Sequence, residues 1–186
     1  KNTINRESTW LFSATMPPEV RAISKNYMES PKEVTVGKKN SGNVNIDHQF
    51  FVVPASQRYE ALKRLIDFNP GMYGIIFTRT KADAQEVSER LAKSGYEIEA
   101  LHGDLSQQQR DKVMGRFRSK NLQLLIATDV AARGIDVDGI THVINFELPD
   151  DMEVYTHRSG RTGRAGKTGI CLSICHSRES YKIKSL

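Results

Sequence analysis

From about residue 46 onward the sequence alternates short apolar runs with amphipathic stretches, and this alternation restricts the possible folds more than any other property of the chain. Ile46 to Val53 reads as a strand, and Gln57 to Phe68 as a helix with Leu62, Leu65 and Ile66 on its apolar face. Ile75 to Thr78 is a second strand-like run. Thr80, three residues before Asp83, opens a helix in which Ala84, Val87 and Leu91 fall at helical spacing, and Gly95 stops it. Glu97 to Leu101 reads as a strand. Ser106 and Gln109 form a capping box for a helix ending near Arg118, and Leu122 to Ala127 is a buried strand. His142 to Phe146 and Gly169 to Cys175 add two more. Strands separated by helices in this order predict an α/β domain: a parallel sheet sandwiched by helices, with ligands at the carboxyl ends of its strands.

Residues 1–36 do not join this pattern smoothly. Thr9 to Phe12 resembles a strand, Pro17 to Met28 a helix that starts on proline, and Glu33 to Val36 another short strand. The stretch GKKNSGN that follows is rich in Gly, Ser, Asn and Lys, so residues 37–45 read as a linker and 46–186 as the main domain. Apolar residues make up 38% of the 186, enough for a substantial core. A net charge of +5 and a pI near 9.2 favour a polyanionic partner, because Lys and Arg that neutralise phosphates release counterions. Cys171 and Cys175 share one face of a strand but lie too far apart to bridge. Read as reduced buried thiols, and with no membrane-length apolar stretch or leader in view, they place the protein in the cytoplasm with no membrane partner.

The charged motifs carry the chemistry. HRSGRTGR, residues 157–164, sets Arg158, Arg161 and Arg164 three apart; on one or two helical turns they would fan along one face, with Gly160 and Gly163 between them. Such a face suits a multiply charged anion. ATDVAARGIDV, residues 127–137, puts Thr128 and Asp129 just past a buried strand, with Arg133 and the flexible Gly134 leading to Asp136. Gln107 and Arg110 share the first turns of a helix, where free backbone amides and the helix dipole favour a phosphate. Thr78, Arg79 and Lys81 follow another buried strand. Gly166-Lys167-Thr168 imitates the end of a phosphate-binding loop, but Arg161 stands where that motif requires a glycine, and a strand follows where a helix should. No residue cluster has the spacing of a metal site.

Taken in order, these elements resemble the C-terminal RecA-like domain of DEAD-box ATP-dependent RNA helicases of bacterial type. Ser13 to Thr15 (SAT) resembles motif III of the family, IIFTRTK motif IV, Gln107 with Arg110 the QxxR element, ATDVAARGIDV motif V and HRSGRTGR motif VI. Motif III belongs to the first of the family's two RecA-like domains, so the resemblance makes residues 1–36 the end of that domain. It implies that Arg161 and Arg164 are arginine fingers for the ATP γ-phosphate and that they bind the nucleotide together with Gly134 and Asp136, which would hold the ribose. Arg79, Gln107, Arg110, Thr128 and Arg133 would line single-stranded RNA or a short duplex. Ser13, Thr15, His157 and Arg158 would couple the two domains. A P-loop, a Q motif and the DEAD sequence do not occur in this chain. Mg2+ would therefore be held by the first domain, and these residues alone are expected to be inactive. The resemblance leaves two alternatives: the equivalent domain of a DNA helicase or translocase, and a non-catalytic module that binds RNA or a regulator. An unpaired first-domain remnant is expected to favour self-association through residues 1–36.

Overall fold

The computed structural model describes residues 7–13, 16–35 and 45–183, and the chain falls into two compact units, 1–42 and 43–186. In the first unit, helix α1 (Pro18–Tyr27) starts on a proline and buries none of its residues. Strands were expected at residues 9–12 and 33–36; residues 9–12 and 33–35 have no regular structure, and Val36 lies outside the described residues. A strand is completed by a neighbour's backbone groups, and among the described residues of this unit there is none to pair with.

The second unit carries the predicted alternation: β1 (Ile46–Val52), α2 (Arg58–Phe68), β2 (Gly74–Thr78), α3 (Lys81–Lys93), β3 (Ile98–Leu101), α4 (Gln107–Arg118), β4 (Leu124–Thr128), α5 (Asp129–Ala132), β5 (His142–Asn145), α6 (Met152–Ser159), β6 (Gly169–Cys175) and α7 (Ser180–Ile183). The strands form a six-stranded sheet in the order β1-β6-β5-β2-β4-β3, and every pairing is parallel. Successive side chains point to opposite faces of a strand, so each interior strand feeds two cores. Ile76, Ile126 and Ile144 face α2 and α3 through Leu62, Ile66, Val87 and Leu91. Phe77, Leu125 and Val143 belong to the core on the other face, with Phe117 of α4, Ala131 of α5 and Tyr155 of α6.

Local signals in the sequence fix the helix starts. The Thr80 hydroxyl accepts from the Asp83 amide at 3.1 Å. Ser106 and Gln109 close the expected capping box, with the Ser106 amide donating to Gln109 Oε1 at 2.8 Å. Cys171 and Cys175 are unpaired and buried, and burial pushes both thiols up to about 11, so they remain protonated and unreactive at neutral pH. Among the described residues, no helix is long and apolar enough to cross a membrane.

Candidate functional site

The three arginines of HRSGRTGR do not share a face. Helix α6 ends at Ser159, with Gly160 as its C-cap, so only Arg158 is helical and the other two lie on the loop that follows. Arg158 is 2% exposed. Its Nε and Nη2 donate to the two oxygens of Asp129 at 2.6 and 2.8 Å, and its Nη1 to Asn145 Oδ1 at 3.0 Å and the Glu147 carbonyl at 2.9 Å. The guanidinium also lies 5.1 Å from the centroid of the Phe77 ring. Buried and filled in this way, it fastens α6 to the ends of β4 and β5 inside one domain. The expected role of coupling two domains therefore cannot come from direct reach by this side chain. His157, beside it, is exposed.

Thr162 anchors the next turn, its hydroxyl donating to the carbonyls of Ile140 at 2.6 Å and Thr141 at 3.1 Å. Those carbonyls precede β5, and Gly169, the first residue of β6, passes so close that a Cβ there would lie 2.3 Å from Thr162 Oγ1. Residues 160–168 thus lie toward the amino ends of β5 and β6, opposite to the carboxyl ends at which ligands were expected. The reason is topological: α6 starts beyond the carboxyl end of β5 and returns antiparallel to it, carrying its trailing loop to the other end of the sheet.

The chain after β4 makes the same return. Gly134, at φ 78°, turns the backbone between Arg133 and Asp136 and brings Asp136 to the arginine loop. Arg164 Nη1 donates to Asp136 Oδ1 at 2.8 Å, its Nε to the Gly160 carbonyl at 2.9 Å, and Arg161 Nη1 to the Ile135 carbonyl at 2.8 Å. Burial, and after it the neighbouring Arg164 cation, depress the Arg161 guanidinium pKa, with Asp136 opposing. Two guanidiniums held this close favour an added anion. A cavity of about 220 Å³ beside them is lined in part by Lys167 and Thr168. A larger one of about 760 Å³, walled by Phe51, Leu65, Phe68 and Leu172, contains none of the predicted site residues.

Of the remaining predicted residues, Arg79, Arg110 and Thr128 lie at or near the carboxyl ends of β2 and β4. Thr128 ends β4 in register with Thr78 of β2, and Arg79 follows Thr78 directly. Arg110 Nη2 donates to the Ala131 carbonyl at 3.2 Å, tying α4 to the same turn, while Arg133 is exposed. Gln107 bonds Asp111 at 2.8 Å on the surface of α4. Ser13 is exposed in the other unit, and Thr15 lies outside the described residues. Among the described residues, no group of three His, Cys, Asp or Glu side chains is placed to hold a metal.

Sequence reasoning missed the partners. Asp129, the first residue of α5, was noted only as lying just past a buried strand, and Asn145 ends a strand that read as plain core, where its polar side chain was the available signal for the seat of Arg158. Glu147 and Glu179, both beside Arg79, gave no signal, being far from it in sequence.

A six-stranded parallel sheet flanked by helices, with an arginine loop returning beside an acidic loop, defines a RecA-like domain of the helicase C-terminal class. Residues 57–166 match the helicase conserved C-terminal domain family. The chain is 43% identical to the DEAD-box ATP-dependent RNA helicase CshA of Bacillus cereus over 96% of its length, but spans only 34% of that relative. Among solved structures it is similar to a DEAD box protein of Methanococcus jannaschii, with 45% identity, TM-score 0.73, and coverage of 94% of this chain and 47% of that one. Saccharomyces cerevisiae Dbp5 bound to RNA and ADP BeF3 gives 31% identity and TM-score 0.82, over 94% of this chain and 46% of that one. The chain belongs to the DEAD-box RNA helicases, and its main unit is their helicase C-terminal domain.

Proposed function

We propose that this chain supplies the second RecA-like domain of an ATP-dependent RNA helicase and that its two groups of charged residues serve two ligands. Arg161 and Arg164 meet the γ-phosphate of ATP held chiefly by the other RecA-like domain, which also carries the Mg2+. Asp136, 88% exposed and paired only at the surface with Arg164, is available to the ribose hydroxyls. An exposed pair of this kind is worth at most about 1 kcal/mol, so a phosphate can take over Arg164 at little cost. Arg79, Arg110, Thr128 and Arg133, with Gln107, line the RNA and grip mainly phosphate and sugar, which carry little sequence information. The observation that carries this reading is the meeting of two guanidiniums and one carboxylate on loops anchored by Thr162 and Gly134.

Phosphoryl transfer depends on positioning and on charge stabilisation in the transition state, and an arginine finger contributes about 10³ to 10⁵ in rate. In the complete protein, Arg161→Ala or Arg164→Ala should therefore collapse RNA-stimulated ATP hydrolysis through kcat while single-strand RNA affinity stays within about twofold. An equal loss of RNA binding would show that these arginines belong to the RNA site instead. Stimulation by duplex DNA in place of RNA would favour the translocase alternative.

A further inference from the structure

Arg79 is assigned to RNA, yet carboxylates surround it. Its Nε and Nη2 both donate to the Leu148 carbonyl, at 3.3 and 2.8 Å, and Nη2 also donates to Glu179 Oε1 at 3.1 Å. Asp150 stands 3.6 Å from Nη2 and Glu147 3.9 Å from Nε. Glu179 is itself fixed. It lies on the turn before α7, its other oxygen accepts from the His176 amide at 2.9 Å, and Arg58 Nη2 is 3.7 Å away. Arg58 donates to Glu147 at 2.7 Å, and Lys182 of α7 to Asp150 at 2.6 Å. The cluster thus sets Arg58, Arg79 and Lys182 against Glu147, Asp150 and Glu179. It offers a polyanion no net positive charge.

A guanidinium grips phosphate in bidentate fashion along its Nε/Nη2 edge or its Nη1/Nη2 edge, so both modes require Nη2. Here Leu148 and Glu179 occupy that nitrogen. The arginine side chain is still 39% exposed, so a phosphate can approach it but must displace a carboxylate to close the fork. Glu179 is 16% exposed and held by its own cap, so it returns to the same place when the phosphate leaves.

We propose that Glu179 is an affinity-setting residue of the RNA site: it competes with RNA phosphate for Arg79 Nη2 and so weakens the grip of this domain on a strand it must release. The inference rests on the assignment of Arg79 to RNA. The test is a double-mutant cycle in the complete protein, reading equilibrium binding of single-stranded oligoribonucleotides of unrelated sequence. Arg79→Ala should weaken binding. Glu179→Gln, which keeps the capping acceptor but removes the charge, should tighten it about two- to fivefold, the worth of a partly exposed ion pair. It should also steepen the dependence of log Kd on log salt by about 0.7, one further phosphate neutralised on a single strand. In the Arg79→Ala background Glu179→Gln should change nothing. Equal tightening in both backgrounds would mean a general charge effect and overturn the proposal, as would unchanged or weakened binding by Glu179→Gln alone. If Arg79→Ala leaves affinity untouched, the RNA assignment itself fails and this inference with it. Should Glu179→Gln disturb the fold by thermal melting, Asp150→Asn, at 79% exposure, gives the same readout with the same sign and a smaller size.

Discussion

Two apolar triplets of this chain meet opposite fates. Ile75, Ile76 and Phe77 form the middle of β2 and are 0%, 0% and 1% exposed. Trp10, Leu11 and Phe12 form no strand, and Trp10 and Phe12 are 76% and 86% exposed. Composition does not separate them, since both are as apolar as a strand needs. What differs is the company. The first triplet has β4 and β5 on either side and helices above and below, whereas the second belongs to a unit whose only described helix buries nothing. Strand propensity is largely a measure of fit against neighbours, and without them it produces no strand.

Hydrogen exchange should show the contrast at its largest. Amides of Leu124 to Ala127 in β4 should exchange slower than those of residues 9–12 by about 10⁴-fold or more, the difference between opening only through global unfolding and hardly needing to open. Protection at 9–12 that rises with protein concentration would mean pairing with a second copy, the self-association expected of this segment. Protection there equal to β4 in a dilute monomer would erase the contrast.

Core truncation gives the next largest effect. Phe77→Ala should cost about 4 kcal/mol in urea unfolding, against less than about 0.5 kcal/mol for Phe12→Ala. Arg158→Ala should cost about 3 kcal/mol, because it empties a buried site and leaves the buried Asn145 Oδ1 without its donor. A surface-sized loss would show that the Arg158 seat is not the fastener described above. Gly169→Ala drives a methyl group into Thr162 and should cost about 2 kcal/mol, whereas Gly103→Ala, with nothing within 4 Å of the added carbon, should cost close to nothing.

The smallest effect is on pH. Burial lowers the pKa of both His48 and His142 from 6.5. Groups that are harder to protonate when folded contribute stability that is fully present above pH 6.5 and is lost as pH falls through the folded-state values. The melting midpoint should therefore decline gently below pH 6.5, less so in His142→Gln. A midpoint that rises on acidification would contradict the sign. No such decline is expected from the first unit, whose described residues include no histidine.

Much of the fold was legible because its signals are local. Thr80 with Asp83 and Ser106 with Gln109 announce helix starts within four residues, and the runs at 75–78 and 124–127 are too apolar to lie anywhere but inside. The site was legible only as a set of motifs. Spacing placed three arginines on one face, and the chain ends the helix after the first of them.

From the sequence alone follow the alternation of strands and helices, the buried cysteines, and which residues are charged at strand ends. These depend on periodicity, on caps and on side-chain chemistry, all carried within a few residues. Tertiary structure alone decided that Arg158 is a buried fastener, that Arg164 meets Asp136, and that Arg79 stands among Glu147, Asp150 and Glu179. Each of these partners lies 28 to 100 residues away or across a returning helix. A charge declares its sign in the sequence, but what it pairs with depends on which chain ends the sheet brings together.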